Sequence, residues 1–308
     1  MAQFTLRQVL DRLYHGRSLH KAELSTLNMG GKQLDGADFS RAYLRAANLS
    51  HTSCQHTNFS HATLIRATLT GSCLQDADLE GANLIRATLI DANLHKVRAV
   101  NAVFRSAIVD RSDLSFSTLH QADLSNLSGL GATFKHANLV KANLTKAHVD
   151  YANFCAAQMV QSRWVKAHAV GASFDSANLE RAQFIEASLI GANLTQANLL
   201  NTCFRKADLQ EAILFESQLD WADLTQATLS QSRLTDASLF GATLEHADLQ
   251  YADLTGADLR QANLENVQLT GATLNKTQVD GAIFTDAHGI SPEQRCYLTD
   301  HGALNIPD

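Results

Sequence analysis

A single five-residue phase runs from Leu34 to Phe284 without a slip. Its central position is Leu at 33 of 51 sites and Phe at nine, and the residue two before it is Ala at 37 of the 51. Gly36-Ala37-Asp38-Phe39-Ser40 and Ala252-Asp253-Leu254-Thr255-Gly256 show the unit near either end. A period of five matches neither the 3.6-residue turn of a helix nor the two-residue alternation of a strand. It demands a bend in every unit, and therefore a solenoid. The central residue and the Ala two before it point inward. The residue between them points outward, as do the two that follow, where the chain bends.

This period overrides the two-domain expectation that 308 residues would otherwise raise. Leu and Ala supply most of the apolar content, and the two prolines, Pro292 and Pro307, lie beyond the repeats. A long, narrow interior explains that composition better than one deep core. Asp, Asn, Ser and Thr fill many outward sites just before the centre, where short side chains bond nearby backbone and stabilise turns. Gly recurs two after the centre (Gly36, Gly71, Gly81, Gly171, Gly191, Gly241, Gly271), where a bend is needed.

The run of Ala-Asp/Asn-Leu-x-x units resembles the pentapeptide-repeat proteins over about five-sixths of the chain. Gly289-Ile290-Ser291-Pro292-Glu293-Gln294-Arg295 is also similar to the ends of cyanobacterial members. The resemblance implies an all-β solenoid, a right-handed quadrilateral β-helix with four pentapeptides per coil. The chain would make about 13 coils over ~60 Å at the strand spacing. Residues twenty apart then stack. Phe134, Phe154 and Phe174 form one inner ladder, and Phe184 and Phe204 stack in the neighbouring column. Outward apolar pairs recur at the same spacing: Ile65 with Ile85, Val140 with Val160, Val165 with Ile185.

Three segments follow. Residues 1–17 are an N-terminal capping helix: Thr5 and Gln8 make a capping box, Leu6, Val9, Leu10 and Leu13 keep helical spacing, and Gly16 stops it. Residues 18–286 are the β-helix, beginning with a transitional stretch in which Leu19, Leu24 and Met29 already hold the phase. Residues 287–308 are a C-terminal cap, with Ser291 and Pro292 opening a short helix that His301-Gly302 ends. One inner column loses volume at Val109, Gly129, Val149 and Ala169. Leu127 replaces the usual Ala where Gly129 replaces Leu, and Val97 does so where Ala99 replaces Leu. These swaps conserve volume, as a close-packed interior requires. A local bend or widening is expected around 97–130.

No catalytic motif is present, and no catalytic, cofactor-binding or metal site is expected. His51, His56 and His61 fall on successive corners and diverge. His148 and His168 would be outward neighbours on adjacent coils, but two imidazoles fall short of a metal site. Five cysteines without paired spacing, and an N-terminus without an apolar signal segment, predict a cytoplasmic protein with no membrane span.

Charge is uneven. Residues 95–170 hold nine Lys/Arg against four Asp/Glu, whereas 207–286 hold three against thirteen. Lys96, Arg98, Arg105, Lys135, Lys141, Lys146 and Lys166 spread over several faces without an aromatic platform, so direct nucleic-acid binding is not expected. Ile65, Ile85, Ile90, Leu130, Val165, Val170, Ile185 and Ile190 share two neighbouring outward columns and are the candidate partner-binding residues. Phe215, Trp221, Phe240 and Tyr251 form a looser aromatic set.

The expected function is a non-enzymatic, protein-binding scaffold or regulator presenting a rigid, rod-like surface, as a monomer or lateral homodimer. The resemblance also implies an alternative, a DNA mimic that binds DNA gyrase or topoisomerase. The acidic end favours that alternative and the basic middle opposes it.

Overall fold

The computed structural model describes residues 4–307, so residues 1–3 of the expected N-terminal cap and residue 308 of the C-terminal cap lie outside the described residues. The chain divides into two compact units, Met1–Gln158 and Met159–Asp308. Both are built from the same lap of twenty residues. Parallel bridges join residues twenty apart, from Glu23–Tyr43 to Asn138–Gln158 in the first unit and from Arg163–Gln183 to Gln268–His288 in the second. Each side of the lap contributes a single bridged residue between corners.

The unit around Phe39 shows where the backbone hydrogen bonds go. The Phe39 and Arg41 amides donate to the Asn58 and Ser60 carbonyls one lap on, both at 2.8 Å. Tyr43 donates to the Ala22 carbonyl one lap back at 2.9 Å, and Ala42 closes the corner onto the Phe39 carbonyl at 3.0 Å. The fifth amide, Ser40, finds no backbone acceptor and donates instead to Asp38 Oδ1 at 3.0 Å. Asn48, Asn58, Asp78, Asn93 and Asp113 do the same for the amides two residues on. Asp and Asn recur before the centre because each satisfies the one donor that the ladder leaves over.

Every corner turns the same way. The second residue after each centre has positive φ, as a type II turn requires of its third residue. Most of these residues are not glycine: Arg41 sits at φ 57°, Tyr251 at 59° and even Trp221 at 58°. Each non-glycine corner costs about 1 kcal/mol locally, a cost offset by the amide bond that the corner residue makes to the next lap.

The central residues and their Ala partners are buried in both units. Phe134 stacks on Phe154 at 4.8 Å and Phe39 on Phe59 at 5.3 Å in the first unit. Trp164 stacks on Phe184 at 5.3 Å, and Phe184 on Phe204 at 5.2 Å, in the second. Each such pair adds about 0.5–1.5 kcal/mol beyond area burial. Where Ser or Thr replaces the inward Ala, the hydroxyl donates to a carbonyl: Thr52 to Leu49, Ser112 to Leu89, Thr202 to Leu179. Ser162 donates to the Met159 carbonyl and accepts from Trp164 Nε1, which satisfies the buried indole. Ser117 is the exception, with a buried hydroxyl that finds no partner.

The expected widening around 97–130 is not seen. The ladder continues through Arg98–Thr118 and Ile108–Ser128, and the Ala99, Val109 and Gly129 amides bond the next lap at 2.7–2.8 Å. Leu127 Cδ2 lies 3.6 Å from where a Cβ on Gly129 would stand. The lost volume is therefore restored by the neighbouring side chain, and the backbone has nothing to accommodate.

Helix α1 spans Leu6–Tyr14 and α2 spans Pro292–Asp300. Both open with the full capping box, Thr5 with Gln8 and Ser291 with Gln294. Both close alike: Arg17 and Gly16 donate to the Arg12 and Leu13 carbonyls, and Ala303 and Gly302 donate to those of Leu298 and Thr299. Helix α1 buries Val9 and α2 buries Leu298. From α2, Gln294 Nε2 donates to the Ala272 carbonyl at 2.7 Å and Tyr297 OH to the Thr277 carbonyl at 2.9 Å. Leu304 then pairs with Ile283, which gives one of the four sides of the last lap a partner.

Candidate protein-interaction surface

The eight outward apolar residues all occupy the position just after a centre, where the chain enters a corner. Seven are half-buried and Leu130 is exposed. In the first unit, Ile65 and Ile85 stand one lap apart, tied through the Arg66 amide to the Ile85 carbonyl, and Ile90 follows in the next column. Leu130 is set apart from Ile90 by Asp110, which accepts from the Leu130 amide and from Ser128 Oγ. In the second unit, Val165 and Ile185 share one column and Val170 and Ile190 the adjacent one, each pair one lap apart. These four make a two-by-two set of apolar corners, with Lys166 and Glu186, paired at 3.2 Å, and His168 and Ser188 on the outward positions between its two columns.

The charged residues are partly self-neutralising. Arg98 binds Asp78 and Glu80, Arg105 binds Asp123 at 2.9 Å, and Arg111 binds Asp91 at 2.8 Å. In the second unit, Arg260 binds Asp258 at 2.7 Å. Burial pushes the Asp123 and Asp258 carboxyls up, but hydrogen bonds from Ser125 and Arg105, and from Arg260, outweigh it and hold both below the usual carboxylate range. The hydrogen bond from Arg111 does the same to Asp91.

His51, His56 and His61 sit on three successive corners with φ of 54–56°. The rings of His51 and His61 each lie over a glycine one lap on, Gly71 and Gly81. His148 belongs to the first unit and His168 to the second. Among the described residues, no group of three or more His, Cys, Asp or Glu converges to hold a metal ion. Cys54, Cys73, Cys203 and Cys296 are free thiols, and burial pushes the Cys54 thiol up to about 12. No helix among the described residues is long and apolar enough to cross a membrane.

Of the looser aromatic set, Trp221 and Phe240 meet edge to face at 5.4 Å, while Tyr251 stands half a lap round at another corner. One cluster escaped sequence reasoning. Phe116, half exposed at a corner, stacks on His136 at 4.8 Å and meets His95 edge-on at 5.4 Å. The twenty-residue step from 116 to 136 was its signal.

A lap of four five-residue sides, with Leu or Phe inside and a turn at every corner, defines a repeat solenoid of the β-helix class. The pentapeptide-repeats family model matches eight stretches: 37–76, 64–98, 74–105, 112–149, 130–159, 172–214, 217–250 and 247–286. They cover more than half of the chain, which belongs to the pentapeptide repeat family.

Among solved structures, the chain is similar to HetL, a pentapeptide repeat protein involved in heterocyst differentiation regulation from the cyanobacterium Nostoc sp. strain PCC 7120. The identity is 25% over 92% of this chain and 98% of HetL, with a TM-score of 0.39. Rfr23 from the cyanobacterium Cyanothece 51142 is 28% identical over 39% of this chain and 89% of its own, with a TM-score of 0.30. QnrB1, a plasmid-mediated fluoroquinolone resistance protein, is 16% identical over 64% of this chain and 90% of its own, with a TM-score of 0.29. Overlays at these scores carry no residue correspondences. A comparison with curated proteins finds no significant match.

Proposed function

We propose that this chain is a non-enzymatic scaffold or regulator that binds a protein partner through Ile65, Ile85, Ile90, Leu130, Val165, Val170, Ile185 and Ile190. The observation that carries the proposal is the two-by-two block of Val165, Ile185, Val170 and Ile190. Four β-branched side chains held in adjacent columns by the ladder form a pre-organised apolar surface, the kind that marks an interaction site. The architecture proposed with it is a right-handed quadrilateral β-helix of about 13 coils over residues 18–286, capped by residues 1–17 and 287–308. The protein is a monomer, or a lateral homodimer through the same columns. Free thiols at Cys54, Cys73, Cys203 and Cys296 support a reducing, cytoplasmic compartment.

Replacing Ile185 and Ile190 together with Asp tests the proposal. Circular dichroism and melting should match the parent, because both residues lie outside the core. Quantitative affinity capture from native lysate should lose the proteins retained by the parent, and any homodimer formed through these columns should dissociate. Unchanged capture and unchanged oligomeric state would reduce the block to ordinary surface.

A second reading keeps the DNA-mimic alternative, supported by the thirteen Asp/Glu against three Lys/Arg of residues 207–286. Inhibition of DNA gyrase supercoiling, or protection of gyrase from a quinolone, would promote it. The basic stretch at 95–170 weighs against it, since a DNA-like face stays negative along its length.

A further inference from the structure

Each unit carries an exposed aromatic cluster outside the apolar columns, and the two differ in the charges around them. In the first unit, Phe116 stacks on His136, with His95 against its edge. Lys96 precedes Phe116 by one lap in the same corner column, and Lys135 adjoins His136. Both lysines are exposed, and neither is in an ion pair among the described residues. The neighbouring arginines differ, because Arg98, Arg105 and Arg111 are all matched by carboxylates. One carboxylate approaches the cluster, Asp113, 3.8 Å from His95 Nδ1. An apolar ring is thus surrounded by uncompensated cations.

The second unit presents the reverse. Trp221 is 57% exposed and lies over Gly241, where a Cβ would stand 2.5 Å from the indole. Its partner Phe240 packs under the Arg260 guanidinium at 5.7 Å, but that charge is already bound to Asp258. Asp220 lies one lap before Phe240 and accepts from its amide, Asp236 stands exposed at the preceding corner, and Asp280 is exposed two laps beyond Phe240, past Arg260; none of the three is in an ion pair among the described residues. Here an aromatic pair lies among carboxylates that outnumber its one cation, within the most acidic stretch of the chain.

We propose that these surfaces recognise each other between two copies of this chain. The Phe116 cluster of one copy docks on the Trp221–Phe240 cluster of another, with Lys96 and Lys135 meeting Asp236 and Asp280. The aromatic rings supply the desolvated centre and the charges around them set register and rate of encounter. The two surfaces differ, so the contact is heterologous. It uses none of the apolar-column residues and stands apart from the partner site proposed above.

Sedimentation at low and high salt (about 50 and 500 mM) on the full chain at about 100 µM tests the proposal. The parent should associate at low salt and bind at least ~10-fold more weakly at high salt. Lys96→Glu with Lys135→Glu should abolish self-association, as should Asp236→Lys with Asp280→Lys. Glu186 and Lys206 occupy the left-handed corner position of Lys96 and Asp236, and Glu180 and Lys135 the preceding position shared by Lys135 and Asp280, so both variants should fold, as circular dichroism would verify. An equimolar mixture of the two variants should associate again, because each restores the other's missing complement. Phe116→Ala should weaken association by ~10-fold, and Ile185→Asp with Ile190→Asp should leave it intact. A monomeric parent at low salt, indifference to charge reversal, or a mixture that fails to associate would each overturn the proposal. A monomeric parent whose Phe116 cluster binds poly-glutamate or single-stranded DNA would assign that cluster another occupant.

Discussion

Leu127 and Gly129 have exchanged volume, and restoring the usual order measures how strictly the interior must be filled. Leu127 is fully buried, and its Cδ2 lies 3.6 Å from where a Cβ on Gly129 would stand, in the space a longer side chain there would enter. Leu127→Ala removes three carbons, worth ~2.4 kcal/mol in transfer at about 0.8 per methylene. It also leaves a void of roughly 60 Å³, worth ~1.5 kcal/mol more at about 24 cal/mol per Å³. Val109 Cγ2 and Val149 Cγ1 flank the site 3.3 Å from the missing Cβ, and β-branched side chains cannot swing to close it. Leu127→Ala should therefore cost ~4 kcal/mol. Gly129→Leu alone drives its outer carbons into Leu127 and should cost ~1–3 kcal/mol. Additivity predicts ~5–7 kcal/mol for the pair. The double variant instead re-creates the Ala-x-Leu order of the other units and should lie within ~1–2 kcal/mol of the parent, a coupling of about 4 kcal/mol. Urea unfolding followed by circular dichroism reads the difference. Hydrogen exchange at residues 109–149 localises it, since repeat arrays need not unfold in one step. A double variant as unstable as the sum, or a single Leu127→Ala costing under ~1 kcal/mol, would refute the compensation.

Ser117→Ala should stabilise by ~1 kcal/mol because it removes a buried hydroxyl with no partner, whereas Ser112→Ala, which deletes a 2.6 Å bond to the Leu89 carbonyl, should not; paired urea midpoints decide. Gly241→Ala adds left-handed strain of ~1 kcal/mol at φ +64° and must displace Trp221, which acrylamide quenching would report as a more accessible indole. Lowering the pH tests the depressed carboxyls Glu23, Asp38, Asp91, Asp123, Asp253 and Asp258. A carboxyl held low in the folded state stabilises fully above its unfolded value and loses that contribution as pH falls through the folded one. The melting temperature should hold from pH 8 to about 5 and drop below about 4. Cys54, buried and pushed up to about 12, should resist iodoacetamide at about pH 8 until the chain unfolds, while exposed Cys296 reacts at once.

The lap was legible because the interior admits few solutions. A centre every fifth residue demanded a bend in every unit, the resemblance to the pentapeptide-repeat proteins implied four sides to a turn, and Phe134 over Phe154 follows from counting twenty. The helix ends were legible for the same local reason, since Thr5 with Gln8 and Ser291 with Gln294 are complete capping signals. The corner conformation was only half legible. Glycines such as Gly241 mark left-handed backbone, but Arg41, His51 and Trp221 adopt it too. No local preference signals that, because the ladder imposes it from one lap away. The widening expected near 97–130 failed for a related reason. The exchange of Leu127 and Gly129 was legible as volume-conserving, but the backbone was still expected to yield, whereas the ladder from neighbouring laps holds it in register through Arg98–Thr118 and Ile108–Ser128.

The surface is harder to read because the lap constrains it least. Inward residues are fixed in kind, and the residue before each centre is biased toward Asp or Asn by the spare amide. The two after the centre carry no such duty, so any side chain that tolerates the corner can stand there. Freedom of that kind lets a binding surface change without touching the fold. It also removes the local rule by which a functional residue would stand out. What remains is position: a residue acquires neighbours at plus and minus twenty, and a functional patch appears only when the outward sequence is folded onto that grid. Ile185 beside Ile190 is visible from the chain as a pair of isoleucines. Its meaning comes from Val165 and Val170 one lap before, which turn two isolated side chains into a surface that a partner can cover.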